Sequence, residues 1–141
     1  ANPRIVEYLA GVERGGHHLN LGGGDSPAWC AAFIGWTESV AAQPNDGILP
    51  WRASVAECWT DADWAHRTRP KTWTPRVGDC AVCARAGGDP RRGGPGHIAR
   101  VEVVPNEAGQ YTTIGGNESD QVKRTDRNTA DASLVGWIEV G

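Results

Sequence analysis

The pattern of apolar residues changes near Pro75, and this change limits the folds that the chain can adopt. Upstream, apolar residues recur at spacings of three and four, which is the period of an α-helix. Downstream come four short runs rich in β-branched residues, bounded by Gly, Pro, Asn and Asp. Helices followed by strands are typical of an α+β domain with N-terminal helices packed on an antiparallel sheet. The chain has 141 residues, so we expect one domain over residues 1–141.

Three helices are predicted in the N-terminal half. The first covers residues 2–11, the second begins with Ser26 as its cap, and the third covers about residues 53–66. The apolar face of the second helix is formed by residues at helical spacing, namely Trp29, Phe33, Trp36 and Val40. This face is expected to lie in the core.

The predicted strands are the runs at residues 78–85, 96–104, 110–116 and 133–140. Residues 106–109, N-E-A-G, predict a hairpin turn between the second and third of these strands. Residues 84–96 are rich in glycine and proline, which indicates a long surface loop between the first two strands.

Charge and hydropathy argue against several classes of partner. The net charge is −3 and residues of both signs are interspersed, so the charge does not favour binding to nucleic acid or to an anionic membrane. No apolar run approaches the roughly 20 residues that span a bilayer, and no export signal is visible. The chain starts at Ala1 and contains no methionine, so we expect a processed N-terminus. We also expect a monomer.

Cys30 lies in the first turn of the second predicted helix. Free N–H groups and the helix dipole favour an anion there, so this position lowers the pKa of a thiol. The alternative is a small buried apolar residue, which is a common role of cysteine. A base near Cys30 would favour the reactive role.

His97 is the best candidate for that base. It follows the glycine-rich loop and opens a predicted strand, so a rigid element fixes its ring while the adjacent glycines leave room for a substrate. An imidazole can remove the proton of a thiol and later protonate a leaving amine. His17, His18 and His66 are explained more simply, as solvated side chains or as a cation at a helix end. Asn117 could accept a hydrogen bond from the imidazole, but it suits a turn equally well.

Four blocks resemble, in order, those of CHAP-domain proteins, which are cysteine, histidine-dependent amidohydrolases/peptidases related to NlpC/P60 and papain-like enzymes. These blocks are P-A-W-C-A-A-F at 27–33, V-G-D-C-A-V at 77–82, G-H-I-A-R-V at 96–101 and I-G-G-N-E-S-D-Q-V at 114–122. The resemblance covers roughly residues 3–140 and is strongest to the bacterial and phage subgroup with a Trp-Cys-Ala-Ala-Phe helix start.

The resemblance implies a papain-like fold and cleavage of an amide bond in peptidoglycan. The enzyme would be an endopeptidase or an N-acetylmuramoyl-L-alanine amidase, as in a phage endolysin or a bacterial lytic enzyme or toxin, and it would act on the cell wall. It also implies that Cys30 is the nucleophile, His97 the base and Asn117 the residue that orients His97.

Two features depart from related enzymes. Papain-like enzymes supply part of the oxyanion hole from a side chain upstream of the cysteine, often glutamine, but residues 22–25 are G-G-G-D here. Ser26 or a loop N–H is the candidate for the second donor. The acidic loop that binds calcium in some CHAP domains has no counterpart, so we expect no metal and no other cofactor.

Cys80 and Cys83 form a single C-x-x-C pair, which with His66 or His97 would suggest a zinc-binding interaction domain. Residues three apart on a strand face opposite ways, so buried core cysteines are the favoured interpretation.

The seven tryptophans raise a further alternative, a non-catalytic module that binds cell-wall glycan. Trp51 and Trp73 have no periodic assignment and could line a groove for glycan or stem peptide, and Trp29 next to Cys30 is a third candidate. Arg92 could contact a substrate carboxylate, although a solvated loop explains it as well.

Overall fold

The computed structural model describes residues 30–31, 33–34, 54–118 and 121–140, except for the side chains of residues 117 and 118. Four helical residues, Cys30, Ala31, Phe33 and Ile34, are called the Cys30 segment. The remaining helical elements of the described part are α1 (Val55–Trp64) and a 3-10 helix (Pro90–Arg92). Its six strands are β1 (Thr68–Pro70), β2 (Cys80–Ala84), β3 (Gly96–Val103), β4 (Gln110–Glu118), β5 (Gln121–Asn128) and β6 (Leu134–Ile138).

The strands form one antiparallel sheet in the order β1-β6-β2-β3-β4-β5. Four of them, β2, β3, β4 and β6, coincide with predicted strands, so the predicted antiparallel sheet is confirmed. The hairpin turn at residues 106–109 is confirmed as well. Its Asn106 side chain accepts hydrogen bonds from the N–H groups of Ala108 (3.0 Å) and Gln110 (2.9 Å).

The two edge strands were not predicted. β1 is only three residues long and ends in a proline, which is tolerated at a sheet edge because its missing N–H faces away from the ladder. β5 has the sequence Q-V-K-R-T-D-R-N and is mostly exposed along its length. Its side chains are largely solvated, so no alternation of apolar and polar residues marks the strand. Its pairing with β4 defines it instead.

The helix predicted at residues 53–66 is confirmed as α1. Ser54 caps it, because the Ser54 side chain accepts a hydrogen bond from the N–H of Glu57 at 3.4 Å. Val55, Cys58 and Ala62 are its buried residues, at helical spacings of three and four. The helix predicted at residues 2–11 lies outside the described residues, and none of the described helices is long and apolar enough to cross a membrane.

The core has two clusters. The helix-side cluster combines the Cys30 segment and the buried face of α1 with four sheet residues: Cys80, Val82, Ile98 and Ile138. The far-side cluster consists of Ala81, Cys83, Val101, Tyr111, Leu134 and Trp137, with Trp73 packed against it. Trp137 is fully buried, and its ring meets that of Tyr111 edge to face at 5.2 Å. Cys80 and Cys83 belong to different clusters, as expected for residues three apart on a strand.

Candidate active site

The structure brings Cys30 and His97 together. The thiol of Cys30 and the imidazole of His97 are hydrogen-bonded, and the backbone N–H of Ile98 also donates to the sulfur. Cys30 is only 1% exposed. Two successive residues at the start of β3 therefore hold the sulfur.

The surroundings of Cys30 favour its thiolate. Burial raises the pKa of the Cys30 thiol, because a charged group is poorly solvated in the interior. The hydrogen bond and positive charge of His97, the N–H of Ile98 and the guanidinium of Arg85 together lower it by more, so the net pKa lies below that of an ordinary thiol. A thiolate next to an imidazolium is the reactive form of a nucleophilic cysteine.

Cys58 lies in the same cluster and shows the opposite behaviour. It is also 1% exposed, and burial raises the pKa of its thiol far above the ordinary range, with Cys80 and Cys30 adding to the effect. Cys58 therefore stays a neutral thiol. Equal burial with opposite pKa shifts identifies the contacts of Cys30, rather than its exposure, as the cause of its lowered pKa.

Strand pairing and a tight contact fix the position of His97. In the β2–β3 ladder, His97 lies directly opposite Cys83, and Gly96 lies opposite Ala84. A Cβ atom on Gly96 would lie 2.7 Å from Cγ of Pro90 and 2.8 Å from the carbonyl oxygen of Cys83. Protein atoms therefore occupy the space beside Gly96, where the sequence suggested room for a substrate. The Nε2 atom of His97 is buried.

The glycine-rich loop between β2 and β3 is folded against its own backbone. The N–H of Arg85 donates to the carbonyl of Pro95 at 3.2 Å and closes the base of the loop. Asp89 caps the 3-10 helix by accepting from the N–H of Arg91 at 2.9 Å, and its carboxylate also binds the Arg91 guanidinium at 2.8 Å. The loop thus positions Pro90 against Gly96, next to His97.

The other predicted site residues are placed as follows. Asn117 lies on β4, next to β3, and its side chain is not described. Arg92 is exposed at the end of the 3-10 helix. Trp73 lines a cavity of about 390 Å³ whose lining includes neither Cys30 nor His97, and the guanidinium of Arg69 lies 5.8 Å from its ring centroid. Ser26, Trp29 and Trp51 lie outside the described residues.

Arg85 is the residue near the thiol that the sequence did not reveal. Its charge acts on Cys30, but it lies far from Cys30 in the sequence and twelve residues before His97. The only available signal was its position just after a predicted strand.

Cys80 and Cys83 had suggested a zinc site as an alternative. The described residues contain no group of three or more side chains that could hold a metal ion.

The comparisons with known proteins agree with this geometry. The family model described as the CHAP domain matches residues 22–117, more than half of the 141-residue chain. The matched range contains Cys30 and His97 and ends at Asn117. No curated protein and no solved structure matches the chain significantly. The resemblance seen in the sequence is confirmed, and the chain belongs to the CHAP domain family.

Proposed function

We propose that this protein is a peptidoglycan hydrolase that uses Cys30 as a nucleophile against an amide bond of the stem peptide or cross-bridge. Family membership indicates hydrolysis of peptidoglycan in general. The observation that carries the finer proposal is the hydrogen-bonded pair of Cys30 and His97, in which the pKa of the thiol is lowered despite burial. The site of action is then the bacterial cell wall.

The reaction proceeds through a thioester. The Cys30 thiolate attacks the amide carbonyl carbon, and a tetrahedral oxyanion forms. The imidazolium of His97 gives its proton to the leaving nitrogen, so the C–N bond breaks and an amine departs. His97 then takes a proton from water, the resulting hydroxide attacks the thioester, and the acid product leaves as the thiol is restored. The backbone N–H of Cys30 is one oxyanion donor in this scheme, and Ser26 is the candidate for the second.

Asn117 is the proposed residue that orients His97. The register of β3 with β4 supports this role, because Arg100 pairs with Ile114 in an antiparallel ladder. Asn117 lies three residues beyond Ile114 on β4 and His97 lies three residues before Arg100 on β3, so both are toward the same end of the two antiparallel strands. The Nε2 atom of His97 is buried, and a buried ring nitrogen requires a hydrogen-bonding group beside it. The amide oxygen of Asn117 can serve as that group.

Substitution of Cys30 tests the mechanism. Cys30→Ala should lower the release of new amines and carboxylates from purified sacculi below about one thousandth of the wild-type rate. Cys58→Ala is the matched control, because it removes an equally buried thiol from the same cluster without touching the proposed chemistry. Circular dichroism verifies that both variants are folded, and Asn117→Ala should slow release at least about tenfold.

The fragments released distinguish the possible outcomes. Mass spectrometry that finds new termini within the stem or cross-bridge identifies an endopeptidase, whereas free lactyl groups on muramic acid identify an amidase. Wild-type release by folded Cys30→Ala would contradict the nucleophile. Binding of the wild-type protein to sacculi without any new termini would instead indicate a wall-binding module.

A further inference from the structure

A cavity of about 520 Å³ opens beside the far-side cluster and is called the far-side cavity. Tyr111 of that cluster lines it together with Arg127 and Asp131. Cys30 belongs to the helix-side cluster, and neither Cys30 nor His97 is among the described residues that line this cavity. The far-side cavity is therefore separate from the candidate active site and takes no part in the proposed chemistry.

The hydroxyl of Tyr111 is a buried polar group that needs a partner. Tyr111 is only 3% exposed, and within the described part of the chain its hydroxyl makes no hydrogen bond. Burial raises the pKa of this hydroxyl above its usual range, so the group stays neutral and can both donate and accept. Buried polar groups in proteins are nearly always hydrogen-bonded. A ligand in the far-side cavity, which Tyr111 lines, would supply the missing partner.

Two charged side chains of opposite sign line the cavity with Tyr111. Arg127 lies directly opposite Tyr111 in the β4–β5 ladder, so both are on the same face of the sheet. The Nε atom of Arg127 donates to Oγ1 of Thr113 at 2.7 Å, which fixes the guanidinium. Asp131 is held through its backbone carbonyl, which accepts from Nζ of Lys71 at 2.6 Å. Its carboxylate makes no hydrogen bond or ion pair among the described residues.

The far-side cavity adjoins the cavity that Trp73 lines, because Asn106 and Asn128 line both. The Asn128 side chain donates to the carbonyl of Ala108 at 3.2 Å and accepts from the N–H of Ala130 at 2.9 Å, so this shared wall is fixed. Trp73 packs against the far-side cluster, which holds its ring in place. A fixed aromatic ring beside fixed polar groups is a preorganised surface that loses little conformational entropy on binding.

The chemistry of these groups matches a neutral saccharide. Charges of both signs line the far-side cavity, from Arg127, Asp126 and Asp131, so no net field favours a strongly anionic or cationic ligand. A sugar hydroxyl both donates and accepts, so neighbouring hydroxyls can bind a carboxylate and a guanidinium together. The C–H face of a pyranose ring is apolar and packs well against an indole such as that of Trp73. Glycan strands of peptidoglycan offer such faces together with hydroxyl and acetamido groups.

We propose that the far-side cavity binds one sugar unit of a glycan strand through Tyr111, Arg127 and Asp131, while Trp73 packs against the adjoining unit. The choice of wall glycan as the source of the saccharide rests on the proposed function. The site then holds a glycan strand at the far-side cluster while Cys30, in the other cluster, acts on a stem peptide. Trp73 takes the glycan-binding role suggested by the sequence, at a site separate from the catalytic pair.

Binding of a neutral oligosaccharide tests the proposal. The probe is N-acetylchitotetraose, which carries no stem peptide, and its Kd is measured by isothermal titration calorimetry. Tyr111→Phe should raise the Kd about threefold to tenfold, the range expected for loss of one neutral hydrogen bond. Asp131→Asn and Trp73→Ala should each raise it at least about threefold. Lys123→Gln is the matched control and should bind as the wild-type protein, because Lys123 is on the strand and face of Arg127 but outside both cavities.

The stability of Tyr111→Phe provides a second readout. This substitution removes only a hydroxyl that lacks a protein partner, so the free energy of unfolding in urea without ligand should equal or exceed the wild-type value. A lower value would mean that the hydroxyl is satisfied within the protein, and it would overturn the inference. No binding of the oligosaccharide, or an unchanged Kd in Tyr111→Phe, would overturn it as well.

Two controls separate this site from a peptide site and from the active site. A soluble stem peptide without sugar should not compete with the oligosaccharide, and competition would overturn the assignment to a saccharide. Folded Cys30→Ala should bind the oligosaccharide as the wild-type protein does, whereas weaker binding would place the saccharide at the catalytic pair. Because binding needs no cleavage, failure of wild-type protein to release new termini from sacculi would count against the proposed function alone.

Discussion

The contact between Gly96 and Pro90 makes the position of His97 testable by adding a single methyl group. In Gly96→Ala, the new Cβ would lie 2.7 Å from Cγ of Pro90 and 2.8 Å from the backbone carbonyl oxygen of Cys83. Ordinary contacts of this type begin at 3.4 Å. Neither neighbour is the end of a flexible side chain, so the start of β3 and the loop must separate.

The required movement sets the size of the effect. Restoring contacts of 3.4 Å takes a shift of about 0.6–0.7 Å at the residue before His97. A 1 Å misplacement of a catalytic group costs about a hundredfold in rate. A shift of this size therefore costs roughly tenfold to thirtyfold in kcat/KM. Overpacking should also lower the free energy of unfolding by about 1–3 kcal/mol.

Gly136→Ala is the matched control for this overlap. Its Cβ would lie 2.6 Å from the carbonyl oxygen of Arg69 and 3.0 Å from the ring of Trp59, at the pairing of β6 with β1. We expect a similar loss of stability but near wild-type kcat/KM per folded molecule. The assays are urea unfolding and release of amines from sacculi at a temperature where both variants are folded. Full activity of Gly96→Ala, or an equal loss in Gly136→Ala, would refute the reasoning.

The remaining predictions concern ionisation and stability. Because the pKa of Cys30 is lowered, iodoacetamide should modify it well below pH 8.5, about the pKa of a free cysteine, while Cys58 stays unmodified. His97→Ala should move the midpoint of the pH–rate profile upward, and an unmoved midpoint would contradict the pair. The pKa of Cys30 is lower in the folded protein than in the unfolded chain, so ionisation of Cys30 increases the free energy of unfolding. This contribution is fully present above about pH 8.5 and is lost as the pH falls through the folded-state pKa. Asp79 is 2% exposed and accepts hydrogen bonds from the N–H groups of Arg76 (2.7 Å) and Val140 (2.9 Å). Asp79→Ala leaves both donors without their acceptor, so the free energy of unfolding in urea should fall by about 2–5 kcal/mol, and an unchanged value would count against these bonds.

The parts of the fold predicted from sequence are those whose signals are local. Ser54 and the buried spacing of Val55, Cys58 and Ala62 mark α1 within a few residues of its ends. The central strands bury at least one face, so β-branched residues reveal them. β5 could not be found this way, because its polar side chains are mostly exposed and only its pairing with β4 orders it.

The pairing of Cys30 with His97 was predictable for a similar reason. Cys30 follows the predicted helix cap Ser26 and His97 opens a strand, and each position makes its residue a candidate for chemistry. Arg85 was not predictable, because its proximity to Cys30 depends on how β2 pairs with β3. The role of Gly96 was misread because the sequence cannot show that Pro90 folds back against it.

The position of β6 in the sheet limits the order in which the strands can pair during folding. β2, β3, β4 and β5 follow one another both in the chain and in the sheet, so each can pair with its predecessor as it leaves the ribosome. β1 differs, because its neighbour in the sheet is β6, where Arg69 pairs with Trp137. Strands so distant in sequence pair late, since the intervening chain must first be closed into a loop. We therefore expect the insertion of β6 between β1 and β2 to be a late step of folding, and this step also brings Ile138 into the cluster that contains Cys30.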